Sequence, residues 1–202
     1  MIKPKHLVVS LCIAVSIAIT AMMPEKSSSG APASHTGAPG EETCATSGCH
    51  DDNSVNSGDA KLTIEAGTAT NYEPGHTYPI TVRITEPSVE RFGFQILALK
   101  NSDNSNIGTF QLTDIKRTQF IKNQYSLLSR EYVTYTFYGT DAISSGVGEW
   151  TVNWKAPSTN VGPITFYASG VSANDNETDK GDHVYTKSAV IQPSYKATES
   201  QQ

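Results

Sequence analysis

Cys44-Ala45-Thr46-Ser47-Gly48-Cys49-His50 is the stretch of the 202-residue chain whose residue types and spacing carry the most chemistry. Two thiols followed at once by an imidazole are the groups that attach haem c. The thiols add across the porphyrin vinyl groups, and the histidine ligates the iron. The adjacency of the second cysteine and the histidine has a geometric reason: the thioether pins the backbone at the macrocycle edge, so the next side chain can swing beneath the metal. Two residues usually separate the cysteines, and here four do. Ser47-Gly48 supplies backbone freedom for the wider loop to reach both vinyls. The same atoms admit two other chemistries. Thiols five positions apart can close into a disulfide, a small staple contributing on the order of 2 kcal/mol or less. A zinc site would need a fourth ligand and reduced thiols. The histidine tips the reading toward haem c, with Cys44 and Cys49 as cofactor-binding residues and His50 as the axial ligand of the iron.

A sixth iron ligand has few sources. The methionines are Met1, Met22 and Met23, all in or beside the N-terminal apolar run, which leaves His183, His76 and His35, or an open or water-bound position. His183 is the best placed of the three, in an acidic loop ahead of a strand. An axial set without methionine implies a lower potential than His/Met ligation. That acidic loop offers Asp175, Glu177, Asp179 and Asp182 as oxygen donors for calcium. It is not an EF-hand, because counting from Asp175 the sixth position is Lys180 and the twelfth Thr186. No Gly-x-Ser-x-Gly, phosphate-loop or HExxH motif appears, so the chain is not expected to be an enzyme.

The elements that position these groups are short runs rich in Val, Ile, Thr, Tyr and Phe. Alternation predicts strands at 61–65, 77–85, 91–99, 107–112, 131–138, 149–154, 164–171 and 184–191. Breakers such as Glu73-Pro74-Gly75 and Glu86-Pro87-Ser88 lie between them. Strands at this spacing predict an all-β, antiparallel sandwich. Tyr78, Ile80, Val82 and Ile84 share one face, as do Trp150, Val152 and Trp154, whose expected role is packing between sheets. Phe92, Phe94, Ile96 and Leu99 require a bulge, since 96 and 99 differ in parity. The stretch 115–130 is either a short helix or irregular.

Charge and composition bound the function. Fifteen basic residues stand against 20 acidic ones, a formal net charge of −5 that could not neutralise a row of phosphates, so no nucleic-acid partner is expected. Lys3 and Lys5 precede an uncharged run from Leu7 to Met23 that ends in small residues. This pattern predicts a secretory signal peptide over 1–21, cut after Ala21, and a membrane association only if that segment is retained. An oxidising compartment follows. Residues 22–43, rich in Ser, Gly, Ala and Pro, are expected to be a flexible linker. Then come the haem-attachment segment 44–59, the sandwich 60–192 and a disordered tail 193–202.

Several pieces resemble a known domain in the correct order. Gly37-Ala38-Pro39-Gly40 and Tyr72-Glu73-Pro74-Gly75-His76-Thr77-Tyr78 are similar to the opening of a reelin-type (Reeler) domain. Phe92-Gly93-Phe94-Gln95 with Gly108-Thr109-Phe110 resembles its middle, and Trp154-Lys155-Ala156-Pro157 and Gly181-Asp182-His183-Val184-Tyr185 its end. The likeness spans roughly residues 38–192 and leans to the bacterial secreted branch, in which a Cys-x-x-Cys-His motif often precedes the sandwich. It implies an immunoglobulin-like fold and leaves the role open. Two functions are therefore expected. One is an exported c-type haem protein that transfers electrons to a redox partner protein. The alternative is a non-catalytic adhesion or matrix-binding module with a Cys44–Cys49 disulfide, recognising an extracellular surface ligand.

Overall fold

The computed structural model describes residues 29–122 and 130–194. The expected signal peptide 1–21 lies outside the described residues, as do 123–129 and 195–202. Among the described residues ten strands build two sheets: β1 (Lys61–Glu65), β2 (Asn71–Tyr72), β3 (Thr77–Thr85), β4 (Arg91–Lys100), β5 (Thr109–Leu112), β6 (Thr118–Lys122), β7 (Glu131–Tyr135), β8 (Val147–Lys155), β9 (Ile164–Ala173) and β10 (His183–Pro193). The orders are β1-β3-β8-β5 and β2-β10-β9-β4-β7-β6. This is the β-sandwich the alternation predicts, with the immunoglobulin-like architecture the resemblance implies, antiparallel except where β2 runs parallel to the end of β10.

The core lies between the sheets. Ile80, Val82 and Ile84 of β3 are buried beside Val152 and Trp150 of β8, with Val82 opposite Trp150 in the ladder. Trp150 stacks on Phe94 of the other sheet with ring centroids 4.4 Å apart. Trp154 meets Phe166 edge-on at 5.0 Å and Tyr72 at 6.2 Å. Both tryptophans therefore join the sheets, as expected, and each indole N–H finds a backbone carbonyl, Gly139 at 2.8 Å and Ile107 at 3.2 Å. Pro79 is tolerated within β3 because β1 pairs only with residues Thr81 to Thr85, so no neighbour on that side needs its missing N–H.

Four expectations need correction. The bulge in β4 does not exist: its register with β9 is continuous from Arg91↔Ala173 to Lys100↔Ile164. Phe92, Phe94, Ile96 and Ala98 enter the inter-sheet core, while Leu97 and Leu99 are buried on the opposite face. Parity breaks down as a guide because both faces of β4 are covered. The doubtful stretch 115–130 supplies an edge strand, β6, paired with β7. The strand expected over 131–138 stops at Tyr135 and gives way to a 3-10 turn, Phe137–Gly139. Finally, Pro193 and Ser194, expected in the tail, belong to the sheet end: Pro193 pairs with Tyr72 and Ser194 N–H donates to Tyr72 O at 2.8 Å.

The second cover on β4 is the expected flexible linker. Over its described part this segment is a docked strap on the outer face of the six-stranded sheet. Gln95, fully buried, donates to Pro32 O at 2.7 Å and accepts from His35 N–H at 2.9 Å. Ala31 N–H donates to Thr134 Oγ1 at 3.2 Å. Ala38 packs with Leu97, Leu99 and Tyr132. Glu41 and Arg130, 1% and 3% exposed, form an ion pair at 2.6 Å. Composition misleads here because the strap needs no large apolar side chains of its own. It covers those of the sheet and satisfies polar groups the sheet presents.

Candidate functional site

The strap delivers the cysteine motif to the end of the sheet where β4 begins and β9 finishes. Two successive turns fold the motif: Thr46 N–H donates to Thr43 O at 3.1 Å, and Cys49 N–H to Thr46 O at 2.9 Å. His50 N–H then returns to Cys44 O at 3.2 Å, so the four-residue gap closes into a compact loop. Gly48 makes this possible with φ +84°, and its N–H is capped by Asp51 Oδ2 at 3.1 Å. That bond, with help from Lys180, holds the Asp51 carboxyl below the usual carboxylate range.

Cys44 and Cys49 are free thiols in unequal settings. Cys44 is buried against Val171 and Val184, its Sγ 3.9 Å from His35 O. Burial pushes its thiol up to about 11, with the Ser169 hydroxyl opposing the shift. Cys49 is partly exposed. The thiolate is the nucleophile, so iodoacetamide at pH 8 is expected to label Cys49 well before Cys44 in the reduced, folded chain. Peptide mass mapping reads the order, and equal labelling would contradict the burial. The folded Cys44 thiol also holds its proton more tightly than the unfolded one. Its contribution to stability is therefore complete below about pH 9 and lost as pH rises through about 11.

His50 is gripped from β10's leading loop. Asp182 Oδ2 lies 2.7 Å from His50 Nδ1, with the carboxylate 2% and the imidazole 29% exposed. Asp182 Oδ1 accepts Asn174 N–H at 3.0 Å, and Asn53 Nδ2 donates to the Asp182 carbonyl at 2.9 Å. A carboxylate only accepts, so Nδ1 carries the proton, and in the neutral ring the Nε2 lone pair is left for a ligand. His50 lines a cleft of about 390 Å³ together with Arg91, Phe92, Gly93, Tyr135, Phe137, Thr140, Val171, Ala173, Asp175 and Glu177. The volume falls within the roughly 300–1,000 Å³ of small-ligand clefts. β7 pairs with β4 only at Gln95↔Thr134 and Ile96↔Val133, and beyond those pairs the Tyr135 ring lies along Gly93. A Cβ on Gly93 would come within 2.8 Å of that ring. Burial raises the Tyr135 phenol well above its usual range, and the charges of Cys44 and Cys49 add to the shift. Arg91 bridges Asp141 and, at 3.4 Å, Asp175 across the rim.

Not every expected site residue joins this cleft. His35, His76 and His183 do not line it, and neither do Cys44 and Cys49. The carboxylates proposed for calcium are dispersed among other partners: Asp175 on Arg91, Asp179 on Lys180, Asp182 on His50. The acidic loop is instead folded by asparagines, with Asn174 and Asn176 both donating to Lys180 O at 2.9 Å. Among the described residues no three His, Cys, Asp or Glu side chains converge as a metal site. Arg91, Gly93 and Tyr135 escaped sequence reasoning as site residues. Alternation assigns such positions to strands, and nothing in the pattern shows where β7 parts from β4.

No curated protein matches the chain. Among solved structures it is similar to the cohesin module of a Clostridium perfringens family 33 glycoside hydrolase, at 11% identity and TM-score 0.44, covering 66% of this chain and 96% of that one. It is also similar to an uncharacterised Nocardia farcinica protein with an immunoglobulin-like fold, at 14% identity and TM-score 0.34, covering 61% and 94%. Residues 42–176, two thirds of the sequence and inclusive of the cysteine motif, match the Reeler domain, and the chain belongs to the Reeler domain family.

Proposed function

We propose that the chain is an exported, non-catalytic binding module whose ligand seat is the cleft beside His50. Membership of the Reeler family supports the coarser part of this reading, a sandwich that binds. The cleft supports the finer part. It combines an apolar floor of Phe92, Tyr135, Val171 and Ala173 with a few polar groups, His50 and Arg91 foremost.

For a haem occupant, the single supporting observation is the Asp182 grip on His50 Nδ1. It orients an imidazole whose remaining nitrogen is available in the cleft, as second-shell carboxylates do for metal-bound histidines. Cys44 and Cys49 would carry the thioethers. Each S–H would add across a vinyl double bond, sulfur to one carbon and hydrogen to the other, with no oxidant consumed. Cys44 is buried in the folded chain, so attachment has to precede docking of the strap. If the two thiols are joined to each other instead, the module reading stands with a different occupant, an extracellular surface ligand held by the same cleft.

One preparation separates the two. The full chain is exported in a host with haem-attachment machinery and purified. A red product whose Soret band survives acid-acetone extraction supports haem, and Cys44→Ser and Cys49→Ser should each lower the covalent content. A colourless protein, two protons lighter than the dithiol, supports the disulfide module. Equal haem loading in both serine variants and in His50→Ala would contradict the assignment of these residues.

A further inference from the structure

We propose that the cleft beside His50 receives a small organic amine, its apolar body on the cleft floor and its ammonium group at the acidic rim. This rests on the reading of that cleft as the ligand seat. It does not depend on haem, because neither Cys44 nor Cys49 lines the cleft.

The floor sets the body of the ligand. Phe92, Tyr135, Val171 and Ala173 present rings and aliphatic carbon to a space of about 390 Å³, room for a small molecule. Phe137, 53% exposed, adds an aromatic ring on the open side. Burial of apolar surface there favours binding without selecting a charge.

The polar groups set the charge. Asp175 and Glu177 line the cleft from the loop between β9 and β10, and Asp175 is 62% exposed, which puts its carboxylate at the rim. Both residues hold left-handed backbone, φ +56° and +61°, in a loop pinned by the Asn174 and Asn176 side chains. Arg91 is already engaged: Nη1 donates to Thr140 Oγ1 at 3.0 Å and to Asp141, and Nε lies 3.4 Å from Asp175 Oδ1. Among the described residues that line the cleft or pair with its lining, this one guanidinium faces the carboxylates of Asp141, Asp175, Glu177 and Asp182. The local field is therefore negative and draws in a cation.

Donors and acceptors agree with the charge. Asp182 holds the His50 Nδ1 proton, so Nε2 is left as an acceptor. Thr140 Oγ1 donates its proton to Phe137 O at 2.8 Å, and carboxylates only accept. An ammonium group brings three donors and no acceptor, whereas a carboxylate or phosphate ligand would meet acceptors and like charge. The rings of Tyr135 and Phe137 add cation–π attraction for the same charge.

The full chain, exported in a host without haem-attachment machinery so that His50 stays free, provides the test. Three probes share a phenyl body and differ in charge: 2-phenylethylamine, 2-phenylethanol and 3-phenylpropionate. In an NMR titration the amine is expected to shift the Gly93, Tyr135 and Ala173 amides. It should bind about tenfold more tightly than the alcohol, with the carboxylate weakest. Glu177→Gln should lower the amine affinity about two- to fivefold while leaving the alcohol affinity and the melting temperature unchanged, since Glu177 is exposed. Three results overturn this proposal while leaving the cleft as a ligand seat: equal affinity for amine and alcohol, a preference for the carboxylate, or an amine affinity indifferent to Glu177→Gln. No shift of the cleft amides with any of the three probes overturns both.

Discussion

Glu41→Ala is expected to destabilise the fold by about 3–5 kcal/mol, measured as a lowered urea midpoint at unchanged slope. The carboxylate and the Arg130 guanidinium are both out of water, 1% and 3% exposed and 2.6 Å apart. Glu41 also accepts from Tyr132 Oη at 2.7 Å and from Thr36 Oγ1. Arg130 donates further to Pro39 O at 3.1 Å and Asn104 O at 3.0 Å. Removing the acid leaves an uncompensated buried cation, and that penalty is larger than the net value of the intact pair. The double variant Glu41→Leu/Arg130→Met should therefore recover most of the loss. A change below about 1 kcal/mol in the single variant would mean that water reaches Arg130 and that the strap is not docked in solution. The same experiment bears on the site, because the strap carries Cys44 to its place against Val171 and Val184.

Asp182 is expected to separate two effects that one substitution would confuse. Asp182→Ala strands the Asn174 N–H and the His50 Nδ1–H without acceptors, a cost of roughly 3 kcal/mol at 1–3 kcal/mol for each buried polar group left unpaired. Asp182→Asn keeps the shape and one acceptor. If its carbonyl stays with Asn174 N–H, its amide faces His50 Nδ1, which must then accept. The proton moves to Nε2, and the lone pair available in the cleft is lost. Nitrogen-15 spectra of the imidazole in the haem-free protein should show that change of tautomer, with a stability loss smaller than that of alanine. In haem-loaded protein the same variant should weaken axial ligation about 10- to 100-fold, the usual effect of altering a ligand's own partner. An unchanged tautomer would mean that Asp182 does not orient His50.

Why the strands were legible and the site only partly so follows from the range of the forces involved. β1 and β3 have the bounds that alternation predicts, because side-chain direction in a strand is set residue by residue and one solvated face leaves a clear imprint. β4 gave a wrong bulge for the complementary reason. With the strap on one face and β8 on the other, Leu97 and Phe94 are both buried and the imprint is erased. The two-residue strand β2 is too short for any period to register. In the site, Cys44, Cys49 and His50 stand out because their spacing is local. Asp182 was noticed for its charge but given a calcium role, since a partner 132 residues away leaves no local mark on either side chain.

The amino-acid order alone thus determined most of the longer strands, the antiparallel sandwich, the family and the paired thiols with their histidine, all of which depend on neighbours within a few positions. Only the tertiary structure decided that a Ser/Gly/Ala/Pro-rich segment is a docked strap, that Asp182 grips His50, that Arg91, Gly93 and Tyr135 frame a cleft, and that three candidate histidines lie outside its lining. Each of these is a match between surfaces distant along the chain. Hydrogen bonds and buried ion pairs act only at contact, so the groups that satisfy one another are known once the fold has brought them within about 3 Å.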